Sequence, residues 1–133
     1  MIIRKFSRSD EAWIKPIWIQ GEKMGAFGAF FFMWSGLVQG RPKGVDAVVC
    51  QGKGFMRFVN KNGVCEVKEI IVAESARRQG VGRALLEELP RPIVLETNEW
   101  NESSLLFYKS LGFQQKGSRR TPKGKVLIQL VRK

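Results

Sequence analysis

Arg77-Arg78-Gln79-Gly80-Val81-Gly82-Arg83 is the stretch on which the reading of this chain turns. It follows the apolar run Ile70-Ile71-Val72 and opens a helical run, Arg83-Ala84-Leu85-Leu86-Glu87-Glu88-Leu89. A strand, a glycine-bearing loop and a helix start, in that order, make an anion cradle. The first N–H groups of a helix have no partner within it and carry a partial positive charge. Glycines let the backbone approach the anion, and arginines add full charges.

Two common phosphate loops fit these residues poorly. A Walker loop needs Gly-Lys-Ser/Thr after its glycines, whereas Gly82 is followed by Arg83-Ala84. A dinucleotide fingerprint needs a third small residue where Leu85 stands, although Glu99 and Glu102 lie near the distance of its acidic residue. The plainest reading of the loop alone is a surface turn with ordinary arginines.

A second segment changes the balance. Asn101-Glu-Ser-Ser-Leu-Leu-Phe-Tyr108-Lys-Ser-Leu-Gly112-Phe113 reads as one short helix. Asn101 is a good N-cap, Leu105, Tyr108 and Leu111 share a face, and Gly112 suits the left-handed position that closes the helix. Between the two segments lies a strand-like Ile93-Val94-Leu95-Glu96-Thr97.

The pattern Arg77-x-x-Gly80-x-Gly82 resembles the pyrophosphate loop of the GNAT acyltransferases, which bind coenzyme A. Asn101, Ser104, Tyr108 and Gly112-Phe113 resemble that family's second motif, with Ser104 where many members have alanine. The two motifs come in the family's order. The resemblance is strong over residues 55–133 and holds only in outline over residues 1–54.

Ile2–Phe6 is strand-like, and Ser9-Asp10 caps a helix through Trp13, Ile17 and Trp18 that Pro16 disturbs. Met24 to Gln39 is apolar and aromatic without alternation, so a buried helix or helix-loop segment is expected. Val45–Cys50, Phe55–Val59 and Val64–Val72 are separated by Gln-Gly-Lys-Gly and Asn-Lys-Asn-Gly, which are turn sequences. The helix after the loop runs to Leu89, before Pro90 and Pro92. A final pair, Phe113–Arg119 and Lys125–Val131, flanks Thr-Pro-Lys-Gly. The expected order is β-α-β-β-β-α-β-α-β-β. The fold class is α/β, resembling the GNAT fold: a mixed, mostly antiparallel sheet, with a parallel splayed central strand pair, flanked by helices. Residues 1–133 are expected to form one such domain.

Composition narrows the chemistry. There is no histidine, which removes Ser-His-Asp and Cys-His nucleophile systems and histidine-ligated zinc. Cys50 and Cys65 lack metal-ligand spacing, sit in strand-like runs and suit buried packing, so no metal is expected. The most apolar stretch, Ala26 to Val38, is too short for a bilayer, so no membrane role is expected. With no secretion signal, a cytoplasmic location is the expectation. The net charge of +11 favours acidic partners: an acidic macromolecule, with nucleic acid included. For any single lysine the bland reading is a solvated surface. Monomer and homodimer are equally compatible with these residues.

The resemblance implies a reaction and its parts. The co-substrate is acetyl-CoA, whose arm lies between the splayed strands. Backbone groups at Ile70, Ile71 and Val72 pair with that arm. The loop Arg77, Arg78, Gln79, Gly80, Val81, Gly82 and Arg83 holds the pyrophosphate, and Asn101 lies near the arm. An amine attacks the thioester directly, so one proton leaves the amine and the departing sulfur needs another. Tyr108, the only tyrosine, matches the family's partner for that sulfur. Its plainer role is core packing. The base is left open between Glu66, Glu96 and water, each glutamate being equally readable as an ion-pair partner. Glu69 faces away from Glu66 by strand alternation unless a bulge intervenes. The aromatic segment Met24–Trp34 is a candidate wall for the acceptor, or plain core. The activity implied is N-acetyl transfer to a primary amine on a protein, peptide or small molecule. The alternatives are acyl transfer to a nucleic acid, as in Mom-type proteins, and a non-catalytic nucleic-acid-binding protein on the same scaffold.

Overall fold

The computed structural model describes every residue except Ala26. A seven-stranded sheet has the order β1-β2-β3-β4-β5-β7-β6. Its strands are β1 (Arg4–Lys5), β2 (Val45–Cys50), β3 (Gly54–Lys61), β4 (Val64–Val72), β5 (Ile93–Asn98), β6 (Gln114–Arg120) and β7 (Val126–Arg132). Four helices accompany it: α1 (Glu11–Lys23), α2 (Phe30–Val38), α3 (Val81–Glu87) and α4 (Glu102–Ser110). All neighbouring strands run antiparallel except β4 and β5, which are parallel. The expected mixed sheet with a parallel central pair is therefore present.

The N-terminal half differs from the expected order, because the aromatic segment forms a helix of its own. Gly25, at φ 77°, breaks the chain after α1. Phe30, Met33, Trp34 and Leu37 then recur at helical spacing and are buried together. Ala26, where the apolar stretch was taken to begin, lies outside the described residues. Pro16 sits inside α1 without ending it, since Ile14 and Trp18 on either side are fully buried and hold the helix to the sheet. The first strand shrinks to two residues. From β2 onward the strands and α4 lie within about a residue or two of expectation, as element ends always allow. The helix after the loop starts at Val81, two residues earlier than expected, and ends at Glu87.

Two cores form, one on each face of the sheet. Cys65, Val67, Leu85, Leu86, Ile93, Leu95, Tyr108 and Leu130 belong to the side of α3 and α4. Ile14, Trp18, Phe30, Trp34, Phe55 and Ile71 belong to the side of α1 and α2. The alternation of β4 reports which face each residue joins. Cys65 and Val67 enter the first core, Ile70 and Val72 pack against it, and Ile71 enters the second. The step from Val67 to Ile70 spans three residues, so alternation is broken between them. The register explains it: Phe58 pairs with Val67 and Arg57 with Glu69, leaving Lys68 as the extra residue of a bulge.

Trp18 ties the two halves together. It is fully buried, and its Nε1 donates to the Gly28 carbonyl at 2.9 Å. Its ring stacks on Phe27 at 4.6 Å. No side chain fits at Gly21, because a Cβ there would lie 2.3 Å from the Phe27 ring. The connection between α1 and α2 is thus held against the sheet at Phe27–Gly28. No helix among the described residues is long and apolar enough to cross a membrane.

The start of α1 is fixed by Asp10. Its buried carboxylate accepts from Arg4 Nη1 and Nη2 at 2.9 and 2.8 Å, from the Ser7 amide and from Trp13 Nε1. Desolvation pushes the Asp10 carboxyl up, but the Arg4 hydrogen bonds, the Ser7 and Trp13 donors and the Arg4 charge outweigh it and hold the group at about 2. A folded pKa below the unfolded value means stabilisation that is complete above the unfolded pKa and lost as pH falls through the folded one. Denaturant midpoints measured from pH 6 down to pH 2 should therefore fall more steeply for the wild type than for Asp10→Asn. The difference should approach about 2 kcal/mol. Parallel curves would remove Asp10 from the acid sensitivity.

Candidate functional site

β4 and β5 pair over only three positions, Cys65 with Ile93, Glu66 with Val94 and Val67 with Leu95. Past Lys68 the strands part. β4 stays paired to β3 as far as Val72, and β5 stays paired to β7 as far as Asn98. The β5-facing edge of β4 from Lys68 onward is consequently free backbone. Two cavities meet beside this opening.

The first cavity, about 360 Å³, lies on the α3 and α4 side. Ile70 and Val72 of β4, the loop residues Arg77, Arg78 and Gly80, and Val81, Gly82 and Arg83 of α3 line it. Ser103, Ser104, Phe107 and Tyr108 of α4 form the opposite wall. The loop turns twice through the left-handed region, at Arg78 (φ 64°) and Gly80 (φ 78°). Such alternation turns successive N–H groups toward one side and makes a concave anion site. The amides of Arg78 through Arg83 have no acceptor among the described residues. A Cβ on Gly82 would meet the Phe107 ring at 3.1 Å and Val72 at 3.8 Å. Glycine there keeps α3 close to α4 and the cavity open. The Arg77 side chain folds back so that its Nε donates to the Val72 carbonyl at 3.4 Å.

The second cavity, about 240 Å³, passes through the opening between β4 and β5. Phe27 and Gly28 wall it on one side, Glu69, Glu96, Thr97 and Asn98 along the strands, and Asn101 at the start of α4. Ile70, Ser104 and Tyr108 line both cavities. A chain-like molecule that ran from the first into the second would pass Ile70, Ser104 and Tyr108.

Tyr108 is placed by the way α4 ends. Gly112 turns left-handed at φ 90°, the Gly112 amide donates to Lys109 and the Phe113 amide to Tyr108. This is the Schellman closure, and the apolar contact that goes with it is Phe113 against the Tyr108 ring at 5.5 Å. At the other end Asn101 Oδ1 accepts from the Ser104 amide at 3.2 Å, the expected N-cap. Tyr108 is 7% exposed, and burial pushes its phenol far above the ordinary value. It is therefore a hydrogen-bond donor at any physiological pH, and no protein acceptor for it is found among the described residues.

The carboxylates divide. Glu96 accepts from Arg119 Nε and Nη2 at 2.6 and 2.9 Å and from Gln129 at 3.2 Å. The Arg119 hydrogen bonds hold its carboxyl below the ordinary range despite some desolvation. Glu66 pairs with Lys68 at 2.6 Å and lines an adjoining depression with Val94, Lys116 and Gln129, which shares Leu95 and Glu96 with the Tyr108 cavity but does not include Tyr108. Glu69 pairs with Arg57 at 2.5 and 2.8 Å and lines the Tyr108 cavity. The bulge at Lys68 is what turns Glu69 there, onto the same side of β4 as Glu66. Alternation alone had set the two on opposite faces.

Of the residues assigned to the cradle, Ile70, Val72, Arg77, Arg78, Gly80, Val81, Gly82 and Arg83 come together in the first cavity. Ile71 instead points into the α1 and α2 core, because it lies on the other face of β4. Gln79 turns out of the cavity, its Nε2 donating to the Ser75 carbonyl at 3.1 Å. Asn101 lines the second cavity rather than the first. In the aromatic segment, Phe27 and Gly28 form a cavity wall, Phe30, Met33 and Trp34 are core, and Phe31 and Phe32 are 73% and 76% exposed. Asn98, which carries a buried Oδ1 without a donor among the described residues, escaped the sequence reading. It ends β5, where no periodicity marks a side chain as inward. For Glu69 a signal did exist: apolar residues at 65, 67, 70 and 72 betray the bulge.

A model of the acetyltransferase (GNAT) domain matches residues 37–115. Among solved structures the chain is similar to the ribosomal-protein-S18-alanine N-acetyltransferase from Escherichia coli. The identity is 21%, over 98% of this chain and 91% of that one, with a TM-score of 0.73. It is similar to the ribosomal-protein-alanine N-acetyltransferase from Brucella melitensis at 18% identity, over 99% of each chain, with a TM-score of 0.75. Arabidopsis thaliana NAA60, in complex with acetyl-CoA, matches at 14% identity over 98% of this chain and 97% of that one, with a TM-score of 0.73.

Removing Arg119 should release Glu96. In Arg119→Gln, carbon-detected NMR should follow the Glu96 carboxyl titrating higher than in the wild type, because the hydrogen bonds and charge that hold it down are gone. An unmoved titration would show that Arg119 does not set its charge.

Proposed function

The chain belongs to the GNAT acetyltransferase family and is an acyltransferase, and on that premise we propose that it moves an acetyl group from acetyl-CoA to a primary amine. The acceptor is an amine on a protein, peptide or small molecule. The observation that carries this reading is the joining of the two cavities at Tyr108. One offers free amides and arginines to a diphosphate, the other opens through the sheet to the opposite face.

The residues present fit acetyl-CoA. The amides of Arg78 through Arg83, with the Arg77, Arg78 and Arg83 charges, would hold the diphosphate. The free edge of β4 at Ile70 and Val72 offers backbone groups to an amide-bearing arm, as an added strand would use them. Bound acetyl-CoA supplies a thioester that an amine attacks directly. Tyr108 then stabilises the departing sulfur with a hydrogen bond. A thiol has a pKa near 8.5 and an ordinary phenol near 10, so proton transfer from an even weaker acid would be uphill. The hydrogen bond alone is the favourable contribution, and to a charged partner it is worth about 1.5–3 kcal/mol.

The acceptor nitrogen arrives from the Phe27–Gly28 side, where the carboxylates of Glu69 and Glu96 line the cavity against a single lysine, Lys68. That suits an ammonium. Glu96, held low by Arg119, is a weak base, so it attracts the ammonium and leaves the proton to pass to water. Acyl transfer to a nucleic acid is the rival acceptor class, and the +11 charge is its motive.

Two variants test the assignment. Tyr108→Phe should lower kcat by about 10- to 100-fold with acetyl-CoA affinity unchanged, measured by thiol release and calorimetry. Equal turnover would defeat the role of the phenol. Gly82→Leu should weaken acetyl-CoA binding at least about tenfold by filling the first cavity, with circular dichroism confirming that the protein is folded. Unchanged affinity in a folded variant would place the cofactor elsewhere.

A further inference from the structure

The positive charge of this protein is unevenly distributed. Residues 103–133 contain no aspartate or glutamate, and eight of them are lysine or arginine. Five of those eight, Lys116, Arg119, Arg120, Lys123 and Lys125, project from the β6–β7 hairpin, and all five are exposed. Among the described residues only Arg119 has a carboxylate partner. β6 is the edge strand of the sheet, and charged side chains with a bulge at Lys116 keep such an edge from pairing with another chain. Edge protection accounts for cations on the strand. It does not account for those on the turn, nor for the exclusion of acids from the whole segment.

The hairpin is fastened to the walls of the second cavity. Arg119 grips Glu96, which lines that cavity. Lys125 Nζ donates to the Gly25 carbonyl at 2.7 Å, two residues before the Phe27–Gly28 wall. The Glu99 amide donates to the Val126 carbonyl, which fastens β7 to the loop after β5. The cationic surface therefore borders the mouth through which an acceptor nitrogen enters.

We propose that the β6–β7 hairpin is a docking surface for an acidic polypeptide, and that the amine delivered to the second cavity belongs to that polypeptide. The reaction rests on the function proposed above; the surface rests on charge and position alone. A polypeptide is favoured over a single-stranded nucleic acid by what the hairpin lacks. Single-stranded nucleic acids are held by aromatic rings set among the phosphate-binding cations. Residues 114–132 carry no aromatic side chain, and the ring nearest in sequence on the adjoining β5–α4 loop is the lone exposed Trp100. The lysine and arginine side chains of the hairpin suit the carboxylates of an extended peptide.

The probes are a labelled peptide with a free N-terminus followed by a run of glutamates, the same peptide with glutamines, and an oligothymidylate of matched charge. Binding is read by fluorescence anisotropy at several salt concentrations, and acetylation of the two peptides by mass spectrometry. The glutamate peptide should bind about tenfold more tightly than the glutamine peptide, with an affinity that falls as salt rises. The combined variant Lys116→Gln, Arg120→Gln, Lys123→Gln should lose about tenfold in affinity for the glutamate peptide while keeping its affinity for acetyl-CoA. Equal binding of the two peptides, tighter binding of the oligonucleotide, or an unaffected triple variant would overturn the proposal. Binding without acetylation would overturn the proposed reaction and leave the surface standing. Equal acetylation with equal binding would overturn the surface and leave the reaction standing.

Discussion

β4 can serve β5 for three residue pairs and no more, and the site depends on that limit. The extra residue at Lys68 bends the strand and shifts its alternation by one position. Bending opens the gap between the two parallel strands and frees one edge of β4 for a ligand. The shifted alternation sends Ile70 and Val72 toward α3 and α4 and turns Glu69 into the gap. A regular β4 would have carried its hydrogen bonds to β5 farther along, and no cavity would cross the sheet. One inserted residue thus creates both the space and the lining.

What surrounds the gap is held by unrelated local devices. Gly80 and Arg78 turn the loop so that its amides converge, and Gly82 lets α3 approach Phe107. The left-handed Gly112 closes α4 and presses Phe113 against Tyr108, so the phenol is fixed by its own helix end. Trp18 brings the α1–α2 connection onto the sheet through a single hydrogen bond and a stacked ring. None of these contacts involves a charge buried without a partner. The charged groups near the gap are paired, Glu69 with Arg57 and Glu96 with Arg119, and the Arg119 hydrogen bonds hold the Glu96 carboxyl below its ordinary range.

The surface follows a different logic from the site. Cations in the loop face the first cavity, while those of the β6–β7 hairpin face outward beside the second. On the proposed reading the two groups serve different ends of the reaction, one a phosphate-bearing donor and the other the acceptor. High net charge alone could not separate these roles, because it is a sum over the chain.

The strands from β2 onward, both site helices and the cradle loop were legible in the residues themselves, since each is written in short-range terms. Turn glycines, apolar periodicity, the Asn101 cap and Gly112 act within about one helical turn or one hairpin. The N-terminal half was less legible: burial, not local pattern, carries α1 through Pro16, whereas the helix Phe30–Val38 follows the expectation of a buried helix or helix-loop segment. Tertiary structure alone decided which carboxylates share a cavity with Tyr108. Glu66 and Glu96 are indistinguishable by spacing, Glu69 is marked only through the bulge, and their neighbours are chosen by that bulge and by Arg57 and Arg119 from other strands. Local rules place a residue on its element, whereas the company it keeps is settled only when elements far apart in the chain meet.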